Sequence, residues 1–491
     1  MAKDFDQPLA YRVVRSGVWS AASSYLNIAF GFFANLALTR LLSPEHFGIF
    51  ALATFFFALV NARTKLSIGY AFAQHPGIDA ASVGSHLVLD VILGIGSLFL
   101  AVLAVPLLHT LGYSWDVAWG TVALGCIGVL DAITNTARIL LERELNFKQT
   151  SLVTSLVFPL SYLPAFWLAL NGGGYWSLVA QNGAFALFLL VGMWWTARRR
   201  LPTMFQWRWR FDHRVAVQFV RFGAVVGIGT LAGTLFNQFD NFLVGTFVGV
   251  AMLGYYDRAY RIAQWPGLLL SPIVQRVAFY TYARLQDDPT RLAKTVTMIL
   301  WLVTTVGLAI ALAIFAAAPD LVLLLYGERW MTSAIFVRFL VVYALLGPLT
   351  EIVASLFIAV GQPLRTSRVW ALQLFVLILA GTPLTVLYGT VGTCIGVGIA
   401  QVLGLLIAYR QLSRMIALRW CDLLATPMLA VAIALMGYLT LTWNLDLNSI
   451  ALAVRVLFKA GFIVTLFLII IMILQPKTSL ERIQYVWRLW W

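Results

Sequence analysis

The feature that most restricts the fold is the length of the apolar runs. A lipid-spanning helix needs about 20 consecutive apolar residues, and only helices and closed barrels satisfy every backbone polar group inside a bilayer. A membrane barrel alternates apolar and polar residues in segments of about 10. The runs here are about two to three times that long and do not alternate, so the spans are expected to be helices. Composition agrees: 61% of the 491 residues are apolar and 11% charged, against about 25% charged in a soluble domain. The chain reads as an all-α polytopic membrane protein of about fourteen spans, near 14–40, 47–73, 85–109, 117–141, 150–171, 176–197, 215–246, 253–282, 293–317, 333–360, 368–388, 391–412, 425–443 and 451–474. The connections are short, and the longest, 198–214, is far below the roughly 50 residues a soluble domain needs. The segment Met1–Arg15 is polar, and the apolar stretch after it exceeds the h-region of about 7–15 residues of a signal peptide. The first span is therefore expected to stay.

Orientation follows from Lys and Arg in the short loops. With the N-terminus inside, the central loop holds Arg198, Arg199, Arg200, Arg208, Arg210 and Arg214, and the C-terminal segment holds Lys477, Arg482 and Arg488. The outer connections hold only Arg40 and Arg329. Both termini are expected to be cytoplasmic, in a bacterial inner membrane. The net charge of +14 expresses this topology together with attraction to anionic lipid headgroups. No basic face lies on a folded soluble element, which argues against nucleic acid. In 477–491, Leu480, Ile483, Trp487 and Trp490 recur at helical spacing opposite Arg482 and Arg488, the pattern of an amphipathic helix lying in the interface. Cys126, Cys394 and Cys421 and the five histidines are dispersed, so neither a disulfide framework, a metal site nor a cofactor is expected.

The chain also repeats itself. At an ungapped offset of 206 residues (221 − 15), Arg15-x-Gly17 meets Arg221-x-Gly223, Phe30 meets Phe236, Asn35 meets Asn241 and Gly48 meets Gly254. A looser echo sets Asp131, before Lys148-Gln-Thr-Ser151, opposite Glu351, before Arg365-Thr-Ser367. The period contains six spans. Because six is even, both copies enter the membrane from the same side, as in transporters built from parallel repeats. The expected organisation is an N-lobe at 1–197, a basic inter-lobe linker at 198–214, a C-lobe at 215–412, extra spans 13 and 14 at 413–476, and the tail at 477–491. Two pseudo-symmetric six-helix lobes would flank a central cleft, opened to each side in turn by rocking.

Four stretches carry a family resemblance: Leu41-Leu-Ser-Pro-Glu-His-Phe-Gly48, Phe239-Asp-Asn-Phe-Leu-Val-Gly245, Leu253-Gly-Tyr-Tyr-Asp-Arg-Ala-Tyr260 ahead of Pro266, and Tyr326-Gly-Glu-Arg-Trp330. Over roughly residues 12–412 the chain resembles the Wzx-type polysaccharide flippases of the multidrug/oligosaccharidyl-lipid/polysaccharide exporter superfamily. The resemblance implies transport, not catalysis: an undecaprenyl-pyrophosphate-linked oligosaccharide moved to the periplasmic leaflet for exopolysaccharide, O-antigen or capsule synthesis. It also implies a V-shaped bundle with spans 1, 2, 7 and 8 lining the cavity. Polymerase and glycosyltransferases of the same pathway are the implied partners, besides membrane lipids. In one respect the chain departs from the family: many relatives carry an acid near the end of the second span, where this chain has Arg63-Thr-Lys65-Leu-Ser-Ile-Gly69.

A pyrophosphate crossing a low-dielectric slab needs a polar, cationic path, and intramembrane charges are functional by default. Arg258 and Arg261, three apart on one helical face, are the leading headgroup ligands because guanidinium matches phosphate bidentately. The alternative is an ion pair with Asp257 or Asp240, or snorkelling. Arg63 and Lys65 diverge by about 200° on a straight helix, so both line the cleft only if 61–67 is unwound. Asp240, between Asn237 and Asn241, with Asn35 the repeat partner of Asn241, reads as the partner of Arg258 and alternatively as a coupling-ion site. Asp131 and Glu351 are further candidates for a proton or sodium. For Asp90, Arg138, Arg221, Arg276, Arg338, Arg455 and Lys459, nearer span ends, snorkelling is the expectation. Tyr255, Tyr256, Tyr260 and Trp265 could stack on sugars, though packing is the simpler reading. Pro266, Pro272 and Pro348 mark expected kinks.

Three rival functions differ by site. A drug/cation antiporter would want acids in the cleft, whereas bases outnumber acids within these spans. A membrane polysaccharide polymerase would display a large outer loop. A peptidoglycan-precursor flippase shares fold and mechanism and differs only in headgroup.

Overall fold

The computed structural model describes residues 9–61, 66–144, 146–205, 210–270, 282, 285, 288–344, 346–360, 362–416, 425–444 and 450–476. Arg63, Lys65, Pro272, Arg276, Cys421 and the amphipathic pattern of 477–491 lie outside them. The described residues are helical with no strand. Among them, nine helices are long and apolar enough to cross a membrane. The chain packs as two compact units, Met1–Asn241 and Phe242–Trp491.

The first unit contains α1 (Leu9–Leu41), α2 (Pro44–Val60), α3 (Ile68–Gln74), α4 (Ala80–Thr110), α5 (Trp115–Arg143), α6 (Phe147–Leu160), α7 (Tyr162–Leu170), α8 (Trp176–Arg200) and most of α9 (His213–Phe247). Helix starts follow local chemistry. Pro44 occupies the first turn of α2, where its missing N–H costs nothing, and the Ser43 N–H donates to His46 Nδ1 at 3.3 Å. Asp79 caps α4 reciprocally with Ser82: the Ser82 N–H donates to Asp79 Oδ1 at 2.7 Å, and the Asp79 N–H donates to Ser82 Oγ at 3.0 Å. The Ser82 hydroxyl first, and then the Ser82 N–H, hold the Asp79 carboxyl below the ordinary carboxylate range. The core joins Phe72, Val83, Leu140, Met193 and Phe219.

Arg210 and Asp212 of the basic linker and the start of α9 pack with this first unit. The Arg210 N–H donates to the Ala80 carbonyl at 3.2 Å, and the Asp212 N–H donates to Ser85 Oγ at 2.9 Å. Phe219 meets the rings of Phe72, His75 and His86. Packing therefore divides the chain inside α9, while the sequence repeat begins its second copy at that helix.

The second unit contains α10 (Val250–Ala263), α11 (Pro289–Tyr326), α12 (Thr332–Ala344), α13 (Leu346–Ala359), α14 (Pro363–Val376), a π-helical turn (Leu377–Gly381), α15 (Thr382–Ser413), α16 (Thr426–Asn444) and α17 (Leu452–Leu474). A buried core runs from Leu300 and Leu312 through Leu356, Tyr409 and Ala434 to Phe467, so α16 and α17, outside the repeat, are built into it. Residues 364–413 form one hairpin of two spans. Gly389, at φ 60° and ψ −144°, occupies a region essentially restricted to glycine. Pairs about it face each other: Thr385 Oγ1 and Thr393 Oγ1 lie 2.8 Å apart, and Gln373 Nε2 donates to Gln401 Oε1 at 3.3 Å. α10 stops at Ala263 and Gln264 is a turn, two residues before Pro266, whose ring cannot continue the hydrogen-bond ladder.

Candidate functional site

The expected second span is discontinuous. α2 ends at Val60 with Asn61 extended (φ −69°, ψ 93°), and α3 begins after Ser67 in the left-handed region (φ 44°, ψ 34°). Ser67 is the one non-glycine residue with positive φ among those described, and such strain persists only where the surroundings over-determine it. Here the surroundings are tight. A Cβ added to Gly223 of α9 would fall 2.0 Å from the Leu66 carbonyl oxygen and 3.2 Å from Ile68. At the far end of α3, Arg143 Nη1 donates to the Phe72 carbonyl at 2.8 Å, which also accepts the His75 N–H, and Nη2 to the His75 carbonyl at 2.7 Å, tying down the carbonyls of the helix end. Interrupted spanning helices are where transporters place polar backbone beside their cargo path, and Arg63 and Lys65 lie in sequence between the two ends of this break.

In the second unit Arg258 and Arg261 converge on one carboxylate. Arg258 Nε and Nη2 donate to Asp257 Oδ2 at 3.0 and 2.5 Å, and Arg261 Nε reaches the same oxygen at 3.4 Å. The Arg258 side chain is 2% exposed, Asp257 17% and Arg261 50%. The ion pair to Asp257 thus exists, and the triad still carries one more positive than negative charge, with Arg261 on its open side. The Tyr326-Gly-Glu-Arg-Trp330 stretch walls it. α11 ends at Tyr326, Gly327 turns at φ 91°, and buried Trp330 meets the rings of Tyr326 and Tyr255 at 6.0 and 5.8 Å. Tyr256 and Tyr260 stack on each other at 6.1 Å, and Tyr256 is fully buried, so the packing reading holds for Tyr256.

Asp240 is 4% exposed, and its Oδ1 accepts the Asn241 N–H at 2.8 Å. Asn241 Nδ2 donates to Gln238 Oε1 at 3.1 Å. Its repeat partner Asn35 instead donates to the Gly31 carbonyl and to Tyr162 Oη, at 2.8 and 2.9 Å, beside the edge-on Phe30 ring. Asp131 and Glu351, which echo one another in sequence, are both exposed on their helices. Asp131 is near the middle of α5.

Three residues expected to snorkel do otherwise. Asp90 is 1% exposed and accepts from Asn135 Nδ2 at 2.9 Å, while Asn135 Oδ1 accepts from Arg138 Nη2 at 2.9 Å. Arg455 and Lys459 both turn inward to Asp320, at 2.8 and 2.5 Å. The expected ninth span, 293–317, stops short of Asp320, whereas α11 continues to Tyr326 and two cations neutralise the acid it buries. Sequence offered no signal for these contacts, which join positions 45, 135 and 139 residues apart (135 − 90; 455 − 320; 459 − 320).

Nine helices long and apolar enough to cross a membrane among the described residues, expected spans that are interrupted, and charged side chains held within helices fit a membrane transporter architecture. More particularly, the chain belongs to the polysaccharide biosynthesis protein family, whose sequence profile matches residues 37–335. It is 23% identical over 410 residues to the lipopolysaccharide biosynthesis protein WzxC of Escherichia coli (strain K12), covering 82% of this chain and 81% of that one. It is 27% identical over 327 residues to the succinoglycan biosynthesis transport protein ExoT of Rhizobium meliloti (strain 1021), covering 65% and 64%. In fold it is similar to the lipid II flippase MurJ in an inward closed conformation, with a TM-score of 0.75 at 12% identity over 94% of this chain and 100% of that one. An inward-facing multidrug resistance MATE family transporter of the MOP superfamily follows at TM-score 0.57 and 15% identity, over 81% and 98%.

Proposed function

We propose that this protein is a flippase carrying undecaprenyl-pyrophosphate-linked oligosaccharide across a bacterial inner membrane for surface polysaccharide assembly, by alternating access along a cationic path. The observation that carries the reading is the Asp257–Arg258–Arg261 triad: two guanidinium groups share one carboxylate on α10, in a member of a polysaccharide biosynthesis family. Asp257 fixes Arg258, and Arg261 presents the fork that suits a pyrophosphate. Arg63 and Lys65 supply further positive charge along the path, Asn35 and Asn241 are its polar contacts, and Asp240, Asp131 and Glu351 supply the charge balance or coupling ion. Both termini are cytoplasmic in this reading, and the pathway's polymerase and glycosyltransferases act on either side of the transport step.

The test is polymer export in cells lacking the native gene. Arg258→Gln with Arg261→Gln should stop export at normal protein level and membrane insertion. The paired Lys replacements should restore it only partly, since an ammonium cannot make the bidentate contact. Normal export from the double Gln variant would sink the headgroup role. A second reading, a peptidoglycan-precursor flippase, is favoured by the full-length fold match; rescue of cells depleted of that activity would support it, and failure to rescue would leave the first.

A further inference from the structure

The first unit buries a histidine that the headgroup path does not use. His86 lies about 9 Å along α4 and is 0% exposed. Its ring stacks on Phe72 of α3, centroids 4.3 Å apart, and meets Phe219 of α9 edge-on at 6.4 Å. Its Nδ1 lies 2.8 Å from Thr136 Oγ1 of α5. One imidazole thus touches three other helices, and one of them, α3, is the short half-helix beyond the Ser67 break. One turn further along the same face of α4 is Asp90, linked through Asn135 to Arg138. The other titratable groups nearby are Asp79 at the head of α4, His75 after α3, and Asp131, Glu142 and Arg143 on α5. α9 brings Asp212 just before it and the exposed His213, Arg214 and Arg221, and α2 carries such groups only in its first turn, Glu45 and His46.

We propose that His86 is a proton-binding site that couples protonation to the position of the half-helix α3. Imidazole is the side chain whose charge ordinarily changes around neutrality. Taking up a proton at His86 adds one positive charge to the pocket between Phe72 and Thr136, with the Asp90 carboxylate as countercharge on the same helix. The same proton alters the Phe72 stack, which holds α3 from the side, and the Thr136 hydrogen bond, which ties α4 to α5, while Arg143 keeps the far end of α3 anchored. Any conformer in which α3 leaves His86 binds the proton with a different affinity, so by linkage pH shifts the balance of conformers. Taking that motion as a step of transport rests on the flippase reading above; the proton site itself does not.

The test uses the full-length protein in lipid nanodiscs. Hydrogen exchange of residues 66–75, corrected for the intrinsic effect of pH, is compared at about pH 6 and pH 8, which bracket the ordinary imidazole range. Protection should differ several-fold in the wild type and in His75→Gln, and should be flat in His86→Gln. A wild-type response in His86→Gln overturns the proposal. Should that variant fail to fold, Thr136→Val decides: it keeps the imidazole but loses its partner, so its pH midpoint should move, and an unmoved midpoint overturns the proposal. Flipping of a fluorescent undecaprenyl-pyrophosphate oligosaccharide in vesicles is measured alongside. Flipping without His86-dependent exchange leaves transport standing and removes the site; His86-dependent exchange without flipping does the reverse.

Discussion

Asp257 holds two guanidinium groups within one turn of α10, and the buried one cannot lose that carboxylate without consequence. Breaking one side of a buried pair costs about 3–5 kcal/mol, whereas replacing both sides is often tolerated. Asp257→Asn should therefore lower the thermal midpoint and yield of the purified protein more than Asp257→Asn with Arg258→Gln, and equal losses would contradict the pairing. At the surface the same logic acts on Asp79. Its carboxyl is held low by Ser82, so its contribution is present above the ordinary carboxylate value and disappears as pH falls through the lower folded value. Asp79→Ala should cost about 1 kcal/mol at neutral pH, as lost caps do, and nothing once the wild-type carboxyl is protonated. Thermal melts of both proteins across the acid range check the sign.

Among the elements, the two interrupted spans differ in how far sequence foretold them. Pro266 announces the turn at Gln264, because proline removes a donor and clashes with the preceding turn. The interruption seen at Asn61 and Ser67 has no proline; what packs against it is Gly223 of α9, more than 150 residues away in the chain (223 − 66 = 157), pressed against the Leu66 carbonyl. The sequence repeat marked Gly223 without giving its purpose. Long apolar runs reveal helices because hydrophobicity is local, and Arg258 and Arg261 were legible because both sit in one helical turn. Asp90 with Asn135, and Asp320 with Lys459, were not, since pairing across helices leaves no trace in spacing. Gly223→Ala should force α9 away from Leu66 and abolish export while leaving insertion intact; wild-type export from it would show that the close approach is dispensable. Gly389→Ala should cost about 1–3 kcal/mol, read as a lower melting temperature, with Gly396→Ala also disruptive because its new methyl would lie 2.5 Å from Gly381 Cα.

For the whole molecule, the distribution of Lys and Arg predicts where each end lies. Reporters fused after Arg214 and after Trp491 should both report the cytoplasm, and one placed within 444–449 should report the periplasm; a periplasmic signal from either of the first two would overturn the assignment. The Asp320 cluster adds a constraint of another kind, on biogenesis. Lys459 follows Asp320 by 139 residues, so the ribosome, moving at about 5–20 residues per second, supplies it roughly 7–28 s later. For that interval a nascent helix carries an acid whose two cationic partners have not been made. The acid must be sheltered, by the insertion machinery or by delayed seating of its helix, until the last hairpin arrives to complete it. A chain stopped after Ser413 would never leave that waiting state, and the expected fate is rapid degradation, measurable as a short half-life in a pulse-chase, with Asp320→Asn prolonging it.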